Sequence, residues 1–353
     1  MNNYNAIGAP WAFGIDVSDC KTSRDVMKKA KLDFIVDKCP LVASMPFGTN
    51  RNNIVNDLAG DFAKDGRIYR ELCGYYATYR SDMDIPLGLV KEKYEVVQNS
   101  DAFNFFDDAI GKDKAVWDKV GVLNHGQTIY LSAKLPVETR VGDDLVDNYL
   151  VFTNSHDGSK SVNIMFTPLR VICTNMLSGA IEKASCYIRL KHTKSVRERI
   201  NRGAEILNAA IHYAKSAEEL YNSLLKVKLN DTAVLQYICS LVLNSDEHNR
   251  LLNYDKEKGY IKLVNKDYRT LEVSNISTTK ANKINAIFKY YNDGIGQKEI
   301  RGTAWGAYNA ITGYYSNVKK NAGEKRTDSL LYGGDNDAIN KALREVVMFE
   351  SVI

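Results

Sequence analysis

The sequence predicts an α+β protein, with a mainly antiparallel sheet and short helices in the first half and a helical second half. Up to about residue 190, apolar and polar residues alternate in short runs separated by glycine turns, which is typical of strands. Beyond that point apolar residues recur with a period of about 3.6, the spacing of helices that bury one face. We therefore predict a strand-rich α+β region over residues 1–190 and a mainly helical region over residues 191–353. The sequence leaves open whether the two share one core.

The first predicted elements are a hairpin and a short helix. Residues 87–90 and 94–98 flank a charged turn at residues 91–93, which predicts two paired strands. Ser100 can then cap a helix whose apolar residues follow the i, i+3, i+4 spacing as far as Ile110.

A second and clearer hairpin joins residues 120–123 to residues 127–135 through a turn at residues 124–126. The side chains of its second strand alternate between two faces. One face carries Ile129, Leu131, Ala133 and Leu135, and the other carries Thr128, Tyr130, Ser132 and Lys134. This alternation predicts a sheet with one covered face and one face open to solvent.

A third hairpin joins residues 148–154 to residues 161–167. Its connection contains Asp157-Gly158, a sequence that favours the type I′ turn. Pro168 is expected to interrupt the second strand, because proline cannot donate a ladder hydrogen bond. Thr174 can cap a helix that follows and runs through Met176, Leu177 and Ala180.

The second half predicts a series of helices. They cover residues 196–224 (continuous or broken), 233–243, 281–291, 303–319 and 337–348. A small hairpin over residues 260–273 interrupts the series, and a glycine- and charge-rich segment at residues 321–335 separates the last two helices.

The composition argues against several classes of protein. Lys and Arg number 47 and Asp and Glu 43, so any nucleic-acid surface must be local rather than a property of the whole chain. The six cysteines lack Cys-x-x-Cys spacing, which favours reduced thiols in the cytoplasm over a zinc site or a disulfide framework. A secretory signal and an apolar run of about 18 residues are both missing, so we expect no membrane contact. We also expect no metal and no cofactor, and without a Gly-x-x-x-x-Gly-Lys-Ser/Thr loop no ATP-driven strand exchange.

Several stretches, in one order along the chain, resemble a known family. They are LGLV at residues 87–90, YEVVQNSDAF at 94–103, NSHDGS at 154–159, RVICTNML at 170–177, HT at 192–193 and GTAWGAYNA at 302–310. These motifs are similar to those of the phage- and plasmid-like proteins of the domain-of-unknown-function family 932, over roughly residues 30–320. The resemblance implies a mobile-element context and brings no established catalytic activity with it.

The most basic stretch of the chain is the first candidate for contact with nucleic acid. It contains Arg189, Lys191, His192, Lys194 and Arg202. Such cations can follow a phosphate backbone without reading its sequence. The alternative interpretation is a solvated helix surface.

Further nucleic-acid candidates come from predicted strands. They are Tyr75, Tyr76, Tyr79 and Arg80, with Tyr130 and Lys134 on the polar face of the second hairpin. Aromatic rings and cations on an exposed sheet suit stacking on single-stranded bases. Arg170 and Asn175 lie at a predicted strand end and helix start, where they can hold a phosphate.

A catalytic site would need the titratable residues of the first half. His156 beside Asp157 can supply a base or a metal ligand, although Asp157 can equally serve the turn alone. Asp143 and Asp147 are nearby carboxylates, and a two-metal nuclease requires several carboxylates that converge on one pocket.

We expect a phage- or plasmid-type DNA-metabolism protein that binds single-stranded nucleic acid, promotes annealing without ATP and forms a homo-oligomer. This leading interpretation is non-enzymatic. One alternative is a metal-dependent nuclease that uses Asp143, Asp147, His156 or Asp157. The other is a structural or virion-associated protein whose aromatic helix around residues 305–314 packs on a partner chain.

Overall fold

The structure is a computed structural model that describes residues 9–46, 67–110, 115–173, 175–177, 187–201, 203–249, 276–320 and 323–350. Within these residues the strands form two antiparallel sheets, and most helices come later in the chain. The predicted α+β class is confirmed.

The larger sheet has seven strands, all antiparallel to their neighbours. They are β1 (Ile15–Asp16), β5 (Val116–Leu123), β6 (Thr128–Val141), β7 (Asp144–Ser155), β8 (Val162–Arg170), β9 (Asn175–Met176) and β10 (Tyr187–Leu190). The strand order is β1-β5-β6-β7-β8-β10, and the short β9 also pairs with β8. Two predicted hairpins, β5–β6 and β7–β8, are confirmed, but the predicted type I′ turn at Asp157-Gly158 is wrong, because Gly158 has a positive φ and Asp157 does not. The β5–β6 turn requires positive φ at three successive residues, Asn124, His125 and Gly126.

The smaller sheet has three strands in the order β2-β3-β4. They are β2 (Val36–Pro46), β3 (Arg67–Arg80) and β4 (Ile85–Lys91). The first predicted hairpin is therefore wrong, because β4 pairs with β3 and residues 94–98 form no strand.

The helices confirm most of the predicted helical segments. They are α1 (Ser23–Ala30), α2 (Asn99–Ile110), α3 (Val196–Asn201), α4 (Gly203–Lys226), α5 (Asp231–Val242), α6 (Thr278–Asp293), α7 (Ala304–Gly313), α8 (Gly323–Tyr332) and α9 (Gly334–Glu350). A π-helical turn, Tyr314–Val318, extends α7. Asn230 and Thr303 cap α5 and α7, because each side chain accepts a backbone N–H of the first turn.

Three local predictions are corrected. The strand β8 runs through Pro168 to Arg170, and Asn175–Met176 is a strand rather than the start of a helix. The segment predicted as a loop between the last two helices contains α8. The predicted cap Thr174, Ala180 and the predicted hairpin over residues 260–273 lie outside the described residues.

Helices cover both faces of the larger sheet. Ile129 and Leu131 of β6 lie in a core completed by α1, α2, α3 and part of α4. Tyr130, which is 2% exposed, lies on the opposite face in a second core with residues of α4 to α9. The predicted open face of this hairpin is therefore wrong. A single strand's alternation does not show that helices more than sixty residues later in the chain will pack on its polar face.

The aromatic helix α7 is central to the second core. Trp305 and Tyr308 are fully buried, and the Trp305 ring packs against Tyr221 of α4 at a centroid distance of 4.8 Å. These rings therefore contribute to the protein's own core, and their burial does not fit a partner-binding aromatic helix. Tyr314 is half-buried at the start of the π-helical turn.

Candidate nucleic-acid interface

The smaller sheet has one covered face and one exposed face, which we name the open sheet face. The register places Tyr75 opposite Lys91, Ala77 opposite Leu89 and Tyr79 opposite Asp37. Directly opposed residues of an antiparallel pair share a face. Tyr75 is 42% exposed and Leu89 56% exposed, and Lys91 and Asp37 are also exposed. Aromatic, aliphatic and cationic groups thus meet on one solvent-facing surface, together with the acidic Asp37.

The covered face fixes this sheet to the turns of the larger sheet. Thr78 Oγ1 donates to the His156 carbonyl (2.7 Å) at the β7–β8 turn. Gly88 of β4 approaches the backbone of Asp157 so closely that a Cβ at this position would overlap it. The open sheet face therefore belongs to a sheet whose covered face is fixed to the larger sheet. Such rigid support suits a binding surface.

Arg80, predicted to contact nucleic acid, lies on the covered face. Its guanidinium donates to the His125 carbonyl (2.8 Å) and pairs with Asp82 (2.7 Å). The same group lies 3.8 Å from the centre of the Phe34 ring. Arg80 therefore connects the sheet to the β5–β6 turn and is not placed to bind a phosphate. Tyr79, its neighbour, is half-buried on the open sheet face, whereas Tyr76 is half-buried on the covered face opposite Val90.

The basic stretch lies next to the end of β4. The rings of Tyr94 and His192 are stacked, with centroids 4.4 Å apart. Two hydrogen bonds between residues 95 and 192 reinforce this contact: the Glu95 N–H donates to the His192 carbonyl (3.1 Å), and His192 Nδ1 donates to the Glu95 carbonyl (2.9 Å). Since Tyr94 follows Lys91 by three residues, the structure brings the basic stretch close to the open sheet face.

The exposed cations of this stretch are Arg189, Lys191 and Lys194, which we name the basic segment. Lys191 and Lys194 make no ion pair within the described part of the chain. His192 is buried, so it positions the segment rather than presenting a contact of its own. Arg202 lies outside the described residues.

Other predicted contacts are not part of this surface. Lys134 is exposed but pairs with Asp147 (2.8 Å). The start of β6, at Thr128, lies near the smaller sheet. Lys134 is six residues further along this strand and is therefore about 20 Å away from that end. Tyr130 is buried in the second core.

Arg170 and Asn175 belong to a buried polar network. Arg170 is fully buried and forms two hydrogen bonds with the Asp144 carboxylate (2.9 and 2.7 Å), which also accepts from Trp305 Nε1 (3.2 Å). Asn175 Oδ1 accepts from Asn317 Nδ2 (2.8 Å) of the π-helical turn. Both side chains therefore join β8 and β9 to α7 and are not placed to hold a phosphate.

His156 is a buried, neutral histidine. Its Nε2 lies 3.0 Å from Asn99 Oδ1, which must accept because the Asn99 amide donates to the Leu32 carbonyl. Burial lowers the pKa of His156 to about 3, with a smaller contribution from nearby His192. Burial also lowers the pKa of His192. Within the described residues, His156 Nδ1 and His192 Nε2 have no hydrogen-bond partner. The low pKa makes His156 a poor general base.

The acidic candidates do not converge. Asp157 Oδ1 accepts from the Ser159 N–H (2.9 Å) and hydroxyl (2.6 Å), so this carboxylate is used within its turn. Asp143 lies in the turn before β7 and Asp147 near the start of that strand, and nine residues of chain place Asp147 about 30 Å from His156. No group of three metal-ligand side chains occurs in the described parts of the chain. These four residues therefore cannot bind one metal ion together.

The sequence reasoning missed the pairing that makes the surface. Tyr75 and Lys91 belong to different strands, and the local sequence pattern predicts that residues 87–90 pair with residues 94–98 instead. The alternation Tyr75, Ala77, Tyr79 in β3 is the available signal, since it places both rings on one face.

Comparison with known proteins identifies a family whose function is unknown. No curated protein and no solved structure matches the chain. None of the described helices is long and apolar enough to cross a bilayer. The family model described as "Domain of unknown function (DUF932)" matches residues 86–343, a range that includes most of β4, most of the larger sheet and the described helices of the second half except the end of α9. This protein therefore belongs to the DUF932 family.

Proposed function

We propose that the protein binds single-stranded nucleic acid with the open sheet face and the adjoining basic segment. The observation that carries this proposal is the exposure of Tyr75 beside Lys91 on the open sheet face, while the covered face of the same sheet is fixed to the larger sheet. Bases of an unpaired strand can stack on such rings whatever their identity, and lysines can neutralise the adjoining phosphates.

The proposal extends to a biological role. Pairing of complementary strands is itself favourable, so a protein that holds unpaired strands can promote annealing without nucleotide hydrolysis. We propose such a role in the DNA metabolism of a phage or plasmid, in the host cytoplasm, with several copies of the chain assembled along one strand. The burial of His156 and the separation of the acidic residues favour this proposal over a metal-dependent nuclease.

The test is a titration of labelled oligothymidylate, followed by fluorescence anisotropy. We expect Tyr75→Ala to weaken binding by about 5- to 150-fold, because loss of one stacked base costs roughly 1–3 kcal/mol. Tyr75→Phe keeps the ring and should bind almost normally. Lys298→Ala, an exposed lysine of the α6–α7 connection, is the matched control away from the surface.

Three results would contradict the proposal. The first is absence of binding by the unaltered protein, and the second is equal affinity of Tyr75→Ala and Lys298→Ala. The third is shortening of the labelled strand when Mg²⁺ or Mn²⁺ is added, which would instead support a nuclease.

A further inference from the structure

One stretch of the edge of the larger sheet has no neighbouring strand in the described parts of the chain. β1 pairs only with Lys119 and Val120 of β5, which leaves the same edge of residues 121–123 without a strand. The chain leaves the line of β1 at Gly14, whose N–H donates to the Trp11 carbonyl (2.9 Å) in a turn. A pocket of about 360 Å³ lies beside β5 at this point.

The backbone of β5 presents hydrogen-bonding groups to this pocket. The Val120 carbonyl points to the β1 side, where it lies against Gly14. The Asn124 N–H points to the same side and donates to the Glu324 carboxylate (3.0 Å). Backbone groups of alternate residues in a strand face the same edge, so Val122 directs its N–H and C=O toward the pocket.

The side chains around the pocket are mainly apolar, with one charge at one end. Phe13 and Ile15 are 59% and 44% exposed at its rim. Glu324, in the first turn of α8, supplies the carboxylate. Burial raises the pKa of the Tyr130 phenol, which also lines the pocket, and the Glu324 carboxylate raises it further, so this hydroxyl stays protonated. The volume falls in the range of small-ligand sites, about 300–1,000 Å³.

We propose that this pocket binds the N-terminal residues of an apolar peptide from a partner protein, which adds a short strand to β5. A strand in line with β1 runs antiparallel to β5, so its N-terminal end reaches Asn124 and Glu324. The free α-ammonium group of the peptide then pairs with the Glu324 carboxylate. Val122 exchanges two backbone hydrogen bonds with the peptide, and the apolar rim covers its side chains.

The test uses the peptide Ile-Val-Ala-Lys with fluorescein on its lysine side chain, and the same peptide acetylated at its N-terminus. We expect the free-amine peptide to bind about tenfold more tightly, because only its ammonium can pair with Glu324. In Glu324→Gln this difference should disappear, while the amide oxygen still accepts the Asn124 N–H. Lys325→Ala, an exposed neighbour on α8, should preserve the difference.

A second variant tests the strand pairing itself. Val122→Pro removes the N–H that the peptide needs, at an edge position where proline is tolerated, and should abolish binding of both peptides. Thermal unfolding checks that each variant is folded. Equal binding of the two peptides to the unaltered protein would overturn the proposal, as would a lack of binding at millimolar peptide. Unchanged binding by folded Val122→Pro would also overturn it.

Discussion

At the scale of single residues, the buried histidine His156 makes stability depend on pH. Its pKa in the folded protein, about 3, lies below the unfolded value of about 6.5, so the unfolded chain binds more protons between these values. The free energy of unfolding should therefore fall by up to about 1.4 kcal/mol per pH unit as pH drops below 6.5.

The variant His156→Gln tests this expectation, because its side chain cannot titrate. The free energy of unfolding, measured with urea between about pH 7.5 and pH 4.5, should fall less steeply in this variant. His212→Gln, at an exposed position, is the control. A fall as steep in His156→Gln as in the unaltered protein would contradict the prediction.

Also at this scale, the buried pair of Arg170 and Asp144 should have a structural role. Arg170→Met leaves the Asp144 carboxylate, whose side chain is only 11% exposed, without its charge partner, and we expect a loss of about 3–5 kcal/mol in the free energy of unfolding. Lys289→Met breaks a partly exposed i, i+4 pair with Asp293 and should cost less than about 1 kcal/mol. Urea unfolding measures both. If Arg170 instead contacts a phosphate, the folded fraction of Arg170→Met will lose affinity for oligothymidylate without this large loss of stability.

At the scale of elements, the sequence predicts what is local. Asn124-His125-Gly126 and Gly158 supply the positive φ that the two hairpin turns need, and the strands beside them alternate clearly. The pairing of β4 with β3 could not be predicted in the same way, because residues 94–98 offered an equally plausible partner nearer in sequence. The burial of Tyr130 depends on helices of the second half, which no pattern within β6 encodes.

The docking of the smaller sheet on the β7–β8 turn should depend on Gly88. A side chain at this position meets the backbone of Asp157, which cannot move as a flexible side chain does. We expect Gly88→Ala to lower the free energy of unfolding by about 1–3 kcal/mol, the usual cost of overpacking. Gly334→Ala is the matched control, because no heavy atom lies within 4 Å of its added Cβ. Equal midpoints of thermal unfolding for the two variants would show that the sheet does not dock in this way.

At the scale of the whole molecule, the proposed interface joins parts of the chain that are far apart in sequence. The basic segment was predicted from composition, and its exposed Lys191 and Lys194 remain candidates. Its position beside β4 follows from the stacking of Tyr94 on His192, about one hundred residues apart, and no sequence spacing predicts such a contact. Lys134 was predicted for the same surface, but its own pairing partner, Asp147, lies toward the far end of β7.

If the open sheet face and the basic segment bind one strand together, the loss of a stacking ring and the loss of a charge should have different effects on binding. Each lysine that neutralises a phosphate of a single strand contributes about 0.7 to the slope of log K against log salt concentration. The double variant Lys191→Ala/Lys194→Ala should therefore lower this slope by about 1.4, whereas Tyr75→Ala should weaken binding at every salt concentration with the slope unchanged. Anisotropy titrations of oligothymidylate over a range of salt concentrations measure both quantities. An unchanged slope in the double lysine variant would confine the interface to the smaller sheet, because cations that release no counterions do not touch the strand.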